Sequence, residues 1–197
     1  MALEDIFREA VEEFLAREFA LVRKDAHEQS FCGRLAIYID HAKDRHGLEP
    51  YYVDVEYNRQ GEGRKRIIHP VTREPIHVVC DLLLHSRGEL RDDNLIALEM
   101  KKAEAKSEDK QSDRERLQAL TTAAPEGAEE DYVCSYKLGY YLEVDIRNAT
   151  LLIEEYREGN MTPHGTREFA QPARSQSDSI SFAKNETESR KPGGRKS

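Results

Sequence analysis

The stretch VVCDLLLHSRGELRDDNLIALEMKK, residues 78–102, contains two apolar segments joined by a polar turn. Asp81 interrupts the first segment, and Glu99 and Lys101 lie near the end of the second. Side chains alternate along a strand, so Glu99 and Lys101 should project from one face and Met100 from the other. If the segments pair as a hairpin around the turn, Asp81 falls opposite Glu99, at a Cβ separation of roughly 5 Å. The stretch therefore predicts two acids and one base converging on one face of a sheet.

Such a group has a specific chemistry. Two adjacent carboxylates repel each other unless a cation neutralises them. Oxygen ligands with room for water and phosphate suit Mg²⁺ or Mn²⁺ rather than zinc. A protonated lysine beside the ion is not a ligand, but it can hold or help deprotonate an attacking water, or stabilise charge on a phosphate. The alternative is a cross-strand salt-bridge cluster on a solvated sheet face. The apolar residues assigned to the same face argue against full solvation: Val79, Leu83, Leu95 and Ala97.

Periodicity extends the prediction outward from this hairpin. The predicted elements are an amphipathic helix within residues 1–24, a helix from near Asp25 to His46, strands over 51–59, 76–86 and 94–102, a helix over 107–123, a long strand over 132–145, and a hairpin partner over 149–158. This order indicates a mixed α/β domain over 1–158. The Ser-, Arg- and Gly-rich residues 159–197 are predicted to form a disordered, mildly basic tail.

Composition limits the class of protein. The 197 residues are 35% charged, and no apolar run approaches the roughly 20 residues that span a bilayer, so we expect no membrane partner. The odd number of scattered cysteines, Cys32, Cys80 and Cys134, is typical of small core residues in a reducing cytoplasm. The net charge is −8 overall and −11 over residues 1–158, which argues against strong nonspecific binding to nucleic acid.

Asp81 is separated by seventeen residues from the triplet Glu99-Met100-Lys101. This pattern resembles the PD-(D/E)XK nuclease superfamily, whose restriction-endonuclease-like core runs helix, three strands, helix, strand. The resemblance implies that the corresponding core of this chain is residues 25–145. The resemblance implies that Asp81 and Glu99 bind the metal, that Lys101 serves the nucleophilic water, and that the Met100 carbonyl is a further metal ligand. Cys80 stands where the superfamily usually has proline.

The resemblance adds further candidates. Many superfamily members carry a glutamate near the metal on the first core helix, and Glu28 matches it as a catalytic and metal-binding candidate. The pattern HE…EYNR…D…ExKK also resembles small bacterial members and makes Glu56 and Arg59 pocket candidates. For Glu28 the alternative is a capping box with Asp25. For Glu56 the alternative is an exposed strand face.

The leading hypothesis is a Mg²⁺- or Mn²⁺-dependent nuclease, with DNA favoured over RNA as substrate. Candidate phosphate contacts are the basic residues after the first strand and near the ExK triplet: Arg59, Arg64, Lys65, Arg66, Lys102 and Lys106. Lys106, Lys110 and Arg114 recur every four residues on the next helix, but the interleaved Glu104, Glu108 and Glu115 favour a solubilising surface over a phosphate track for them. The competing hypothesis is a catalytically silent nuclease-like binding or regulatory module. A homodimer and a protein partner stay open under both hypotheses.

Overall fold

The computed structural model describes residues 3–57, 59–60, 63–64, 66–68, 75–77, 79–123 and 135–171, with backbone positions alone between 59 and 77. Its helices are α1 (Leu3–Arg17), α2 (Phe19–Arg23), α3 (Glu28–Arg45) and α4 (Ser107–Thr121). Its strands are β1 (Tyr52–Val55), β2 (Arg59–Gln60), β3 (Gly63–Arg64), β4 (Arg66–Ile68), β5 (Pro75–His77), β6 (Leu82–His85), β7 (Asn94–Lys102), β8 (Leu138–Asp145), β9 (Thr150–Arg157) and β10 (Asn160–Glu168). The predicted α/β class is confirmed.

Six strands form one mixed sheet in the order β1-β6-β7-β8-β9-β10. Neighbours run antiparallel except β7 and β8, which are parallel. A parallel pair needs a long crossover rather than a tight turn, and α4 lies in the connection between β7 and β8. Two short antiparallel ribbons, β2–β3 and β4–β5, lie between β1 and β6 in the chain.

Helices cover both faces of this sheet. On one face α1 and α3 pack on a core that includes Leu84, Leu98 and Met100. On the other face α4 packs on a smaller core that includes Leu83 and Ala97. Because neighbouring residues of a strand point to opposite faces, Glu99 and Lys101 lie on the α4 face. The acids and the lysine therefore project toward a helix rather than toward open solvent.

The β6–β7 hairpin has the register expected from its sequence. Leu82 pairs with Leu98 and Leu83 with Ala97, which brings Asp81, the residue before β6, opposite Glu99. The turn is closed by Asp93, whose Oδ1 accepts hydrogen bonds from the backbone and hydroxyl of Ser86 at 2.8 and 2.6 Å. A β-bulge after Leu84 shifts the pairing toward the turn. The bulge explains why Leu95 packs in the α1/α3 core instead of on the face of Glu99. Val79, which was expected on that face as well, is 47% exposed.

The predicted start of the tail at residue 159 is wrong. Strand β10 continues the sheet to Glu168, and Phe169 is buried against Phe14 of α1 at a ring-centroid distance of 5.4 Å. All nine β10 residues are exposed, so the strand lacks the apolar alternation by which strands are recognised. Its backbone ladder with β9 holds it in place. Residues 172–197 lie outside the described residues.

Several element boundaries also differ from the prediction. The second helix begins at Glu28 rather than near Asp25, because Asp25 has a left-handed φ of 51° and follows the separate helix α2. Strand β1 ends at Val55, since Glu56 has a φ of 52° that interrupts the extended conformation. The long strand predicted from residue 132 begins at Leu138 as β8, and Cys134 lies outside the described residues. Within the described ranges, no helix combines the length and apolar character needed to cross a membrane.

Candidate metal and phosphate site

Asp81 and Glu99 meet at the start of the hairpin. The Asp81 Oδ2 atom accepts a hydrogen bond of 2.8 Å from the backbone N–H of Met100, which fixes the carboxyl against β7. The β6–β7 register places Glu99 opposite Asp81, and the negative charge of Asp81 is one cause of the raised pKa of Glu99. Burial raises the pKa of Asp81, and the Met100 hydrogen bond and the Lys101 charge oppose that shift. The two acids are thus direct neighbours on the α4 face.

Glu99 is 1% exposed, which is rare for a glutamate. Its Oε1 atom accepts a 2.7 Å hydrogen bond from Nη1 of Arg116, whereas its Oε2 atom is buried and receives no hydrogen bond from the described residues. Burial raises the pKa of Glu99 to about 8, although Arg116 lowers it. Two adjacent carboxyls repel each other unless a proton or a cation neutralises one of them. Arg116 supplies part of that neutralisation, and the raised pKa favours the protonated form of Glu99 when no metal ion is bound.

Lys101 lies beside the acid pair. Its Nζ atom is 2.8 Å from Oδ2 of Asp113 and 3.8 Å from Oε2 of Glu28, and it donates a long hydrogen bond of 3.5 Å to the Met100 carbonyl. Burial lowers the pKa of Lys101, but its contact with the Asp113 carboxylate and the charges of Asp81 and Glu28 raise it overall. The amine is consequently an ammonium group held between carboxylates.

Glu28 spans from α3 to the end of β7. Its Oε1 atom accepts a 2.8 Å hydrogen bond from the backbone N–H of Lys102. The capping-box alternative is wrong, because His27 occupies the N-cap position without a side-chain cap and the Asp25 carboxylate binds Lys102 Nζ at 2.6 Å instead. The charge of Glu28 is therefore directed toward Lys101 rather than toward its own helix.

A cleft of about 410 Å³ opens onto the acids, and the residues lining it include His27, Glu28, Gln29, Val55, Glu56, Asp81 and Lys102. Glu56 lies at this cleft, where the sequence had suggested a pocket residue. Its Oε1 atom accepts a 2.5 Å hydrogen bond from Nε2 of Gln29. Glu99 is buried and is not among the lining residues, so Asp81 forms the accessible edge of the acid pair.

Two residues of α4 complete the site and were not predicted from the sequence. Asp113 and Arg116 contact Lys101 and Glu99, respectively. The sequence signal that could have identified them is their three-residue spacing, which places both on one side of a helix that also buries Leu117 and Leu120. The predicted basic stripe has a different role: Lys110 pairs with Glu143 at 3.1 Å and Arg114 binds Glu154 through two hydrogen bonds.

The candidate phosphate contacts are dispersed. Lys102 Nζ is paired with Asp25, and Lys106 is exposed directly before α4. Arg59 and Arg64 are cross-strand partners in the β2–β3 ribbon, which begins four residues after β1 ends, and Arg66 begins β4. The side chains of Arg59, Arg64 and Arg66, and all of Lys65, lie outside the described residues.

A hard divalent cation would find two carboxyl ligands at this place. No group of three or more His, Cys, Asp or Glu side chains within the described ranges is arranged to hold a metal ion. The side chains supply the pair Asp81 and Glu99, and Mg²⁺ commonly binds through one or two carboxylates and keeps several waters. The buried Glu99 Oε2 without a donor is the atom such an ion would satisfy.

The charge of the cluster also favours a divalent cation. Its ionisable members are the carboxylates Glu28, Asp81, Glu99 and Asp113 and the cations Lys101 and Arg116. With all six ionised, the cluster has a formal charge of about −2 in a poorly solvated place, which is costly to maintain.

Comparison of the chain with protein-family models, curated proteins and solved structures finds no match.

Proposed function

We propose that this protein is a Mg²⁺- or Mn²⁺-dependent nuclease that hydrolyses phosphodiester bonds, with DNA favoured over RNA. The observation that carries the proposal is the buried Glu99 Oε2, which has no hydrogen-bond donor among the described residues and belongs to a carboxyl on the strand opposite Asp81. An unsatisfied buried acceptor costs free energy unless something absent from the protein chain binds it. A divalent cation between Asp81 and Glu99 would remove that cost.

The proposed roles follow from the environment of each side chain. Asp81 and Glu99 would hold the ion, and the Met100 carbonyl would be a further ligand. The bound ion would polarise the phosphate and lower the pKa of an attacking water. Lys101 is an ammonium group beside the pair, so its role would be to orient that water and to stabilise negative charge on the phosphate. Glu28 would limit the movement of Lys101 from the opposite side.

The order of the elements supports the same proposal. Helix α3, strands β1, β6 and β7, helix α4 and strand β8 follow one another in the sheet domain. This is the order of helix, three strands, helix, strand that the PD-(D/E)XK resemblance implies, if the two short ribbons are an insertion. Asp81 directly precedes the second of those sheet strands and Glu99 lies on the third, which agrees with the resemblance. We therefore propose a restriction-endonuclease-like core for this domain.

The test is cleavage by the purified protein of plasmid DNA, single-stranded DNA and RNA with Mg²⁺ or Mn²⁺. Asp81→Ala and Lys101→Ala should each abolish cleavage, with EDTA giving the same loss. Lys110→Ala is the matched control, because this lysine pairs with Glu143 away from the acid pair. Cleavage that survives Asp81→Ala or Lys101→Ala would contradict the proposal.

A second candidate is a nuclease-like domain that binds or regulates without cutting. The ion pairs favour it, because Arg116 already neutralises Glu99 and Asp113 already binds Lys101. The net charge of −11 over residues 1–158 also disfavours capture of a polyanion. Calorimetric titration with Mn²⁺, combined with the cleavage assay, separates the two. A nuclease binds the ion through Asp81 and cleaves the substrate, whereas a silent module cuts nothing under any metal.

A further inference from the structure

We propose that helix α4 positions both halves of the candidate site, with Arg116 fixing Glu99 and Asp113 fixing Lys101. This inference rests on the proposed function and assigns two positioning residues to it. The four side chains form one line of alternating charge. Glu99 Oε1 binds Arg116 Nη1 at 2.7 Å, the same Nη1 binds Asp113 Oδ1 at 3.0 Å, and Asp113 Oδ2 contacts Lys101 Nζ at 2.8 Å. The metal ligand and the lysine are thereby joined through one helix.

The burial of this line indicates more than surface stabilisation. Glu99 and Asp113 are 1% and 3% exposed, and Arg116 is largely covered. Buried ion pairs contribute little to net stability, because desolvation offsets their attraction, and apolar residues of similar volume often serve the fold as well. What a buried ion pair does supply is a defined orientation for its members. Here the members are the two groups whose orientation the proposed chemistry needs.

The hydrogen bonds divide each acid into an anchored oxygen and a remaining one. Met100 N–H holds Asp81 Oδ2, Arg116 holds Glu99 Oε1, and Lys102 N–H holds Glu28 Oε1. The Glu99 oxygen that Arg116 leaves over is the buried Oε2 atom without a donor. Arg116 therefore need not leave Glu99 when an ion binds. It holds one oxygen while the other can coordinate, which is the usual arrangement of a residue supporting a metal ligand.

The same helix provides a matched control. Arg114 binds Glu154 through two hydrogen bonds of 2.8 and 2.9 Å and lies over the ring of Tyr141. It therefore resembles Arg116 in chemistry and in helix, but its partner is outside the acid pair. A variant of Arg114 reports the general effect of removing a partly covered arginine from α4.

The experiment is calorimetric titration of the full chain with MnCl₂, without substrate, for wild type, Arg116→Met, Arg116→Lys and Arg114→Met. Loss of a residue that supports a metal ligand typically weakens metal binding by about 10- to 100-fold. We expect Arg116→Met to weaken Mn²⁺ binding at least about tenfold, Arg116→Lys to restore it to within about threefold of wild type, and Arg114→Met to leave it unchanged. If Arg116→Met does not fold, Arg116→Gln retains an N–H donor, and we expect about a threefold loss.

Asp113→Asn tests the other half of the inference. The amide keeps the shape of Asp113 but removes the charge that holds Lys101, so kcat for DNA cleavage should fall at least about tenfold while KM stays within about twofold. Asp109→Asn, in the first turn of α4, is its control. Equal Mn²⁺ affinities for folded Arg116→Met and wild type, or an unchanged kcat for Asp113→Asn, would overturn the inference alone. A wild type that neither binds Mn²⁺ nor cleaves would overturn the proposed function with it.

Discussion

Replacing Glu99 with glutamine should remove a specific pH dependence of folding stability. Glu99 is buried, and burial raises its pKa to about 8 from an ordinary value of 4.5, against the opposing charge of Arg116. Because the pKa is raised on folding, the folded protein retains the proton at pH values where the unfolded chain has released it. The resulting stability is fully present below pH 4.5 and is lost as the pH rises toward 8.

The magnitude follows from the width of that interval. A shift of one pKa unit corresponds to about 1.4 kcal/mol, so the interval between 4.5 and about 8 allows at most about 5 kcal/mol. Water entry and movement of Arg116 would reduce this value, because both stabilise the ionised carboxylate. We therefore expect the metal-free protein to lose about 2–4 kcal/mol of unfolding free energy, attributable to Glu99, between pH 5 and pH 8.

The assay is urea unfolding in EDTA at constant ionic strength, from pH 5 to pH 8.5, for wild type and Glu99→Gln. The amide cannot ionise, and titrating groups common to both proteins cancel in the difference between the two curves. As the pH rises, the unfolding free energy of Glu99→Gln should increase steadily relative to that of wild type. Saturating Mg²⁺ should reverse the trend for wild type, because the ion favours the ionised carboxylate. Parallel curves for the two metal-free proteins would refute the reasoning and would mean that Glu99 stays ionised beside Arg116.

Three further predictions concern the core and the rim of the site. Leu84→Ala creates a cavity at a fully buried position under α1 and α3. It should lower the free energy of unfolding in urea by about 2–5 kcal/mol, and a loss below about 1 kcal/mol would contradict the described packing. Gly139→Ala would place a Cβ atom 2.9 Å from Thr121 Cγ2 and 3.1 Å from Tyr156 Cβ. We therefore expect thermal unfolding to show about 1–3 kcal/mol of destabilisation. An unchanged melting temperature would argue against this close approach of α4 to β8. Glu28→Gln keeps the acceptor for Lys102 N–H but removes the charge near Lys101. DNA cleavage should therefore fall about tenfold, while the melting temperature stays nearly constant. Unchanged cleavage would leave Glu28 with a purely structural role.

The acid pair shows how far a local pattern predicts a site. Alternation along a strand and the symmetry of a hairpin were sufficient to place Asp81 opposite Glu99 with Lys101 on the same face. They were not sufficient to place Asp113 or Arg116, because a helix that follows a strand can turn any of its sides toward the sheet. The packing of α4 on β7 and β8 decides that orientation, and this packing involves contacts distant in sequence.

The electrostatic state of the site was likewise absent from the pattern. A glutamate in an alternating strand can be a solvated residue or a buried one, and its neighbours in sequence do not distinguish the two. The cover provided by α4 decides the outcome for Glu99, and it also turns Lys110 and Arg114 from a supposed phosphate track into partners of Glu143 and Glu154.

What the sequence by itself determined is the set of elements whose apolar residues repeat with a regular period. These include an amphipathic first helix, the β6–β7 hairpin with its register and the β8–β9 pair, because burial of one face imposes such a period. The break of the predicted 1–24 helix into α1 and α2 was not among them. Tertiary structure alone decided the features without a period. Strand β10 is held by its backbone ladder, Glu28 reaches across to β7, and the polar side chains of α4 meet the acids, each through contacts between residues far apart in the chain.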